Sequence, residues 1–120
     1  MKTLIRIAIR KSLKELDEAY KIYIRRDNID VAALKIWNAS LEIEYAMFIL
    51  RFILKIEKSN APNKYMSINP DIKDAIDKSC DLLRTADKFI EKGNLSLALN
   101  EIYIARKYLI DLQEKLEKNT

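Results

Sequence analysis

Histidine is absent from the sequence, and glycine and cysteine occur once each. Without histidine the usual general base for a serine or cysteine nucleophile is missing, and so are histidine-containing zinc sites. One glycine excludes the phosphate-cradling loops of P-loop and dinucleotide-binding proteins. A single cysteine, Cys80, allows neither an intrachain disulfide nor a cysteine zinc cluster, so the chain is expected in a reducing, cytoplasmic setting. One glycine and two prolines in 120 residues are also too few turn formers for a many-stranded β fold.

Long apolar runs are lacking as well. The most apolar segment, 45–54, contains Arg51 and is about half the ~20 residues needed to span a bilayer. No membrane span is expected. Arg6 and Arg10 interrupt the apolar residues at the start, and no small-residue cleavage site follows, so the N-terminus reads as mature protein. The absence of histidine, the scarcity of glycine and the abundance of isoleucine and lysine are a composition like that of thermophilic, archaeal proteins.

What is present is helical. Hydrophobic residues make up 49% of the chain and charged residues 33%, a balance that builds one soluble domain with a single core. The apolar periodicity predicts four helices and a single domain over 1–120: hairpin one over 2–58, a loop over 59–69 and hairpin two over 70–118. Helix one, over 2–26, places Ile5, Ile9, Leu13, Leu16, Ala19, Tyr20 and Tyr23 on one side. Lys2, Arg6, Arg10, Lys14, Lys21 and Arg25 line the other. Asp30 is the expected N-cap of helix two, with Ile29 and Leu34 as a hydrophobic staple.

Helix two, over 31–58, is apolar on two sides. One carries Ile36, Ala39, Ile43, Met47, Leu50 and Leu54; the opposite one carries Leu34, Leu41, Tyr45, Phe48, Phe52 and Ile56. Between them run narrow strips, Lys35 and Glu42 on one flank and Ser40, Glu44, Arg51 and Lys55 on the other. A helix apolar on two sides must be covered on both. In the second half, Asn69 is the expected N-cap of helix three, followed by Pro70 and Asp71. Gly93 is the expected left-handed residue that ends helix three, and Ser96 the expected cap of helix four. The architecture expected is an all-α antiparallel four-helix bundle, with Ala32, Ala39, Ala98 and Ala105 letting helices approach closely.

The halves also look alike. A shift of 66 positions puts Leu16 over Leu82, Ile24 over Ile90, Asn28 over Asn94, Ala32 over Ala98, Ile36 over Ile102 and Ala39 over Ala105. Either a duplicated helical hairpin or the shared periodicity of two amphipathic hairpins accounts for such a match. The segment 86–105, with its pattern of Ala86, Phe89, Ile90, Gly93, Asn94, Leu95, Ala98 and Ala105, resembles the hairpins of tetratricopeptide and HEPN-like helical families of uncharacterised archaeal proteins. HEPN ribonucleases require an arginine-to-histidine motif, so that activity does not transfer to a chain without histidine.

Other residue groups have ordinary readings. Asp71, Asp74, Asp77 and Asp81 recur along helix three as a solvated acidic strip. Cys80, Trp37, Tyr20 and Tyr23 read as packing residues. No catalytic, cofactor-binding or metal-ligating residue is assigned, and no small-molecule substrate is identified. Two surfaces remain. Tyr45, Phe48, Phe52 and Ile56 predict a protein-binding face, used in a homodimer or a larger assembly by a non-enzymatic interaction module. Lys2, Arg6, Arg10, Lys14, Lys21 and Arg25 are the alternative, a basic face by which an accessory subunit of a nucleoprotein complex would touch RNA or DNA. The net charge of +4 lies wholly in the first half, with 12 basic against 8 acidic residues there and 10 against 10 afterwards.

Overall fold

A computed structural model describes residues 1–55 and 71–118. It contains four helices: α1 (Lys2–Ile24), α2 (Ile29–Leu54), α3 (Ile72–Glu91) and α4 (Leu95–Lys118). Each packs on its hairpin partner, and the hairpins meet through α1 on α3 and α2 on α4, so α1 and α4 lie diagonally opposite, as do α2 and α3. Arg6, near the start of α1, reaches Asp87, near the end of α3. Those two helices therefore run antiparallel, and so does every other neighbouring pair. The end of α2 and the start of α3 consequently lie at opposite ends of the bundle. The expected loop over 59–69 falls outside the described residues.

The two hairpins superpose in their buried residues, but in a different register from a uniform shift of 66. In α1 and α3 the correct shift is 67: Ala8, Ile9, Ser12, Leu16 and Ala19 correspond to Ala75, Ile76, Ser79, Leu83 and Ala86, identical and buried at every position. The pairing of Leu16 with Leu82 and of Ile24 with Ile90 is thereby corrected. In α2 and α4 the shift of 66 holds, and Ala32, Ile36, Ala39 and Leu50 match buried Ala98, Ile102, Ala105 and Leu116. The two registers differ because the first turn has one more residue.

Both turns are Schellman motifs. In the first, the Arg26 N–H donates to the Tyr23 carbonyl and the Asp27 N–H to that of Ile22; in the second, Gly93 donates to Ile90 and Asn94 to Phe89. Arg26 (φ 54°) and Gly93 (φ 83°) hold the left-handed position. Asn94 then stands directly before α4, its carbonyl accepting from Ala98. In the first hairpin Asp27 intervenes, and Asn28 takes that place by accepting from Ala32.

The caps also differ from those expected. Asn28, not Asp30, caps α2, its side-chain oxygen accepting from the Asp30 N–H at 3.0 Å. Ile29 and Leu34 are both exposed and form no staple. Asp71 rather than Asn69 caps α3, accepting from the Asp74 N–H at 2.8 Å, and Ser96 lies inside the first turn of α4, which begins at Leu95. Helix α2 stops at Leu54, short of residue 58, where Lys55 turns left-handed (φ 57°).

One core runs through all four helices, from Ile5 and Leu16 through Ile36, Ile43 and Leu50 to Leu83, Ile102 and Leu109. Among the described residues Ser12 and Ser79 are buried in it. Ser12 donates to the Ala39 carbonyl across the hairpin at 3.2 Å, while Ser79 turns back to Ala75 in its own helix at 2.8 Å. Small side chains bring the α1 and α2 backbones close enough for the Ser12 contact.

The left-handed turn positions give a direct test of this backbone account. An added Cβ at Gly93 would meet only Lys2 Nζ at 3.7 Å, so its cost is conformational. Gly93→Ala is expected to destabilise by about 1 kcal/mol and Arg26→Gly to stabilise by about 0.5–1 kcal/mol, measured by chemical denaturation.

Candidate interaction surface

Helix α2 turns Ala32, Ile36, Ala39, Ile43, Ala46, Met47, Ile49 and Leu50 inward. Its outer side should be polar if it simply meets water. Instead it presents Val31, Leu34, Leu41, Tyr45, Phe48 and Phe52, all exposed, with Phe48 at 64%, Phe52 at 67% and Tyr45 at 46%. With half-buried Asn38 between Leu34 and Leu41, these residues alternate at spacings of three and four. That is the heptad pattern by which one helix seats on another.

Three of the four expected partner-binding residues, Tyr45, Phe48 and Phe52, are thus on one surface; Ile56 lies outside the described residues. Trp37, expected as a packing anchor, is corrected: it is 54% exposed at the edge of the stripe, whereas its counterpart Tyr103 in α4 is buried at 5%. Taking about 200 Å² per aromatic side chain, the exposed parts of Trp37, Tyr45, Phe48 and Phe52 come to roughly 450 Å². This already matches the largest apolar patch, ~300–600 Å², of an ordinary monomer.

Helix α1 widens the patch. Leu4 and Ile7 are exposed, and they stand three helical turns before Glu15 and Glu18, on the flank of α1 that faces Lys35 of α2. The antiparallel register of that hairpin sets Leu4 and Ile7 level with Phe48 and Tyr45.

Hairpin two supplies an internal comparison. The positions of α4 equivalent to the stripe are Leu97, Asn100, Ile104, Lys107, Asp111, Glu114 and Lys118. The same place in a hairpin that shares several buried residues therefore carries a charged C-terminal half in α4 and an aromatic one in α2. The fold itself does not require the aromatic side chains.

Charges frame the stripe. Glu44 on one flank pairs with Arg106 of α4, so it ties the hairpins together, and Lys35 on the other flank holds Glu18 at 2.8 Å. The hydrogen bond from Lys35 lowers the pKa of Glu18, and Glu18 raises that of Lys35. Asp30, Glu42 and Arg51 have no ion-pair partner among the described residues.

The basic residues of α1 are more dispersed. Arg6 is half-buried and held by Asp87 at 3.0 Å, with Glu91 at 3.9 Å; the hydrogen bond to Asp87 raises its pKa. Lys21 pairs with Asp17 at 3.0 Å. Lys2, Arg10, Lys14 and Arg25 are exposed; none of the four forms a salt bridge among the described residues, although the charge of Lys14 helps lower the pKa of Glu18.

No cluster of potential metal ligands occurs among the described residues. Asp81 of the acidic strip pairs with Arg84 at 3.3 Å, and Asp71 is occupied as a cap. Among the described residues no helix is long and apolar enough to cross a membrane. No protein family, curated protein or solved structure matches the chain.

Cys80, the one nucleophilic thiol, is buried in the core, and burial pushes its pKa up to about 11. At pH 7.5 it stays a thiol. Iodoacetamide is therefore expected to leave the folded chain unmodified over hours and to label it within minutes in denaturant, as mass spectrometry would record.

Proposed function

We propose that this chain is a non-enzymatic assembly module that binds protein through the outer side of α2. The observation that carries the reading is the contrast between the equivalent faces of α2 and α4. Where α4 has Lys107, Asp111, Glu114 and Lys118, α2 has Leu41, Tyr45, Phe48 and Phe52. Leaving such surface in water forgoes about 25 cal/mol per Å² of burial, and it invites aggregation unless a partner covers it. Flat aromatic side chains framed by charge are also what protein interfaces use as anchors.

The heptad spacing indicates the shape of the partner: an α-helix laid along α2, its side chains between those of the stripe. The α1 cations support an electrostatic contact with nucleic acid less well, because Asp87 and Asp17 already neutralise Arg6 and Lys21.

The double substitution Phe48→Glu with Phe52→Glu tests the reading, since both side chains are solvent-facing in the monomer and the core is untouched. The wild-type chain is expected to run in light scattering as an assembly heavier than its 14.1 kDa, alone or with a protein co-purified from its host. The variant is expected at the single-chain mass with an unchanged helical melt. An assembly that survives both substitutions would contradict it.

A further inference from the structure

Resting on that reading, we infer that the helix covering the stripe is α2 of a second copy, antiparallel to the first, with a two-fold axis passing between Asn38 and Leu41. The stripe tapers: Val31 and Leu34 at its start, Tyr45, Phe48 and Phe52 at its end. Two such helices laid parallel and in register would stack Phe48 and Phe52 on themselves and Val31 on itself, forcing the axes apart at one end. Reversed, each large side chain meets a small one. Val31 faces Phe48 of the second copy, Leu34 faces its Tyr45, and Asn38 faces its Leu41, so the helices stay evenly spaced as close packing requires.

The charges select the same register. With the axis between Asn38 and Leu41, Lys35 stands across from Glu42 of the second copy and Asp30 from its Arg51, and each pairing occurs twice by symmetry. Asp30, Glu42 and Arg51 are flanking charges without an ion-pair partner among the described residues. Sliding one helix by a heptad, so that the axis falls near Ile43, would instead set Glu42 against Glu42 and Glu44 against Glu44. With the axis between Asn38 and Leu41, Phe52 reaches the α1–α2 turn of the other copy, where Ile24 and Ile29 are exposed. With Leu4 and Ile7 at the margin, the patch approaches the ~800 Å² per partner of a stable interface. Asn38, the one polar residue in the seam, lies beside the axis, the placement by which a single asparagine fixes register in helical pairs.

Cysteine pairing tests orientation and partner together. In a Cys80→Ala background, Leu34→Cys and Tyr45→Cys chains are prepared separately and then mixed under mild oxidation, with light scattering of the unsubstituted protein alongside. The expected result is twice the 14.1 kDa chain mass and a disulfide dimer in the mixture at least tenfold above that of either variant alone. Self-linking of Leu34→Cys alone would overturn the antiparallel register in favour of a parallel pair. A monomer at 100 µM that gives no cross-link would overturn the second copy as occupant. The wider reading would still stand if Phe48→Glu with Phe52→Glu released a different host protein, and would fall with it if nothing were released.

Discussion

Each helix of a four-helix bundle has one side to hide, and the structure depends on α2 hiding that side while keeping a second apolar side uncovered. The inward residues, Ile36, Ile43 and Leu50 among them, are essentially without solvent contact. Ala32, Ile36, Ala39 and Leu50 recur as Ala98, Ile102, Ala105 and Leu116 in α4. Burial against α1 and α4 is therefore complete without any help from Phe48 or Phe52, and these can be devoted to something outside the chain. Among the described residues, the core shared by all four helices forms without the aromatic stripe.

The near-symmetry of the hairpins gives this interpretation its force. Ala8, Ile9, Ser12, Leu16 and Ala19 recur in α3 as the same residues in the same buried places. The packing rules are thus held constant while the outward residues vary. Hairpin two carries mostly polar and charged residues at the positions where hairpin one carries its apolar stripe. The charges follow the same division: Glu44 and Arg106 join the hairpins, as do Arg6 and Asp87, whereas the side chains of Asp30, Glu42 and Arg51 at the border of the stripe form no salt bridge among the described residues.

The four helices, their inward faces and the two-sided character of α2 were legible from periodicity alone, because burial repeats at the helical period whatever the tertiary details. Register was not. Apolar repeats match nearly as well one position away, so the extra residue Asp27 in the first turn went unseen until the Arg26 and Gly93 motifs could be superposed. The caps were misplaced because Asn28 and Asp30, or Asp71 and Asn69, are equally good capping residue types, and sequence alone does not choose between neighbours two positions apart. Trp37 and Tyr103 occupy equivalent positions, yet only a structure reveals that one faces out and the other in. The spacing of three and four through Val31, Leu34, Asn38, Leu41, Tyr45, Phe48 and Phe52 was in the sequence throughout. It was hidden because Asn38 interrupts the apolar series.

Trp37, the only tryptophan in the chain, sits at the edge of the stripe and reports directly on whether that surface is covered. Its emission can be followed on dilution from 100 µM to 50 nM. A covered stripe predicts a blue-shifted spectrum that moves to the red in one transition as copies separate, with the helical signal unchanged. A red, solvent-exposed spectrum at every concentration would contradict the central claim that a second copy closes over α2.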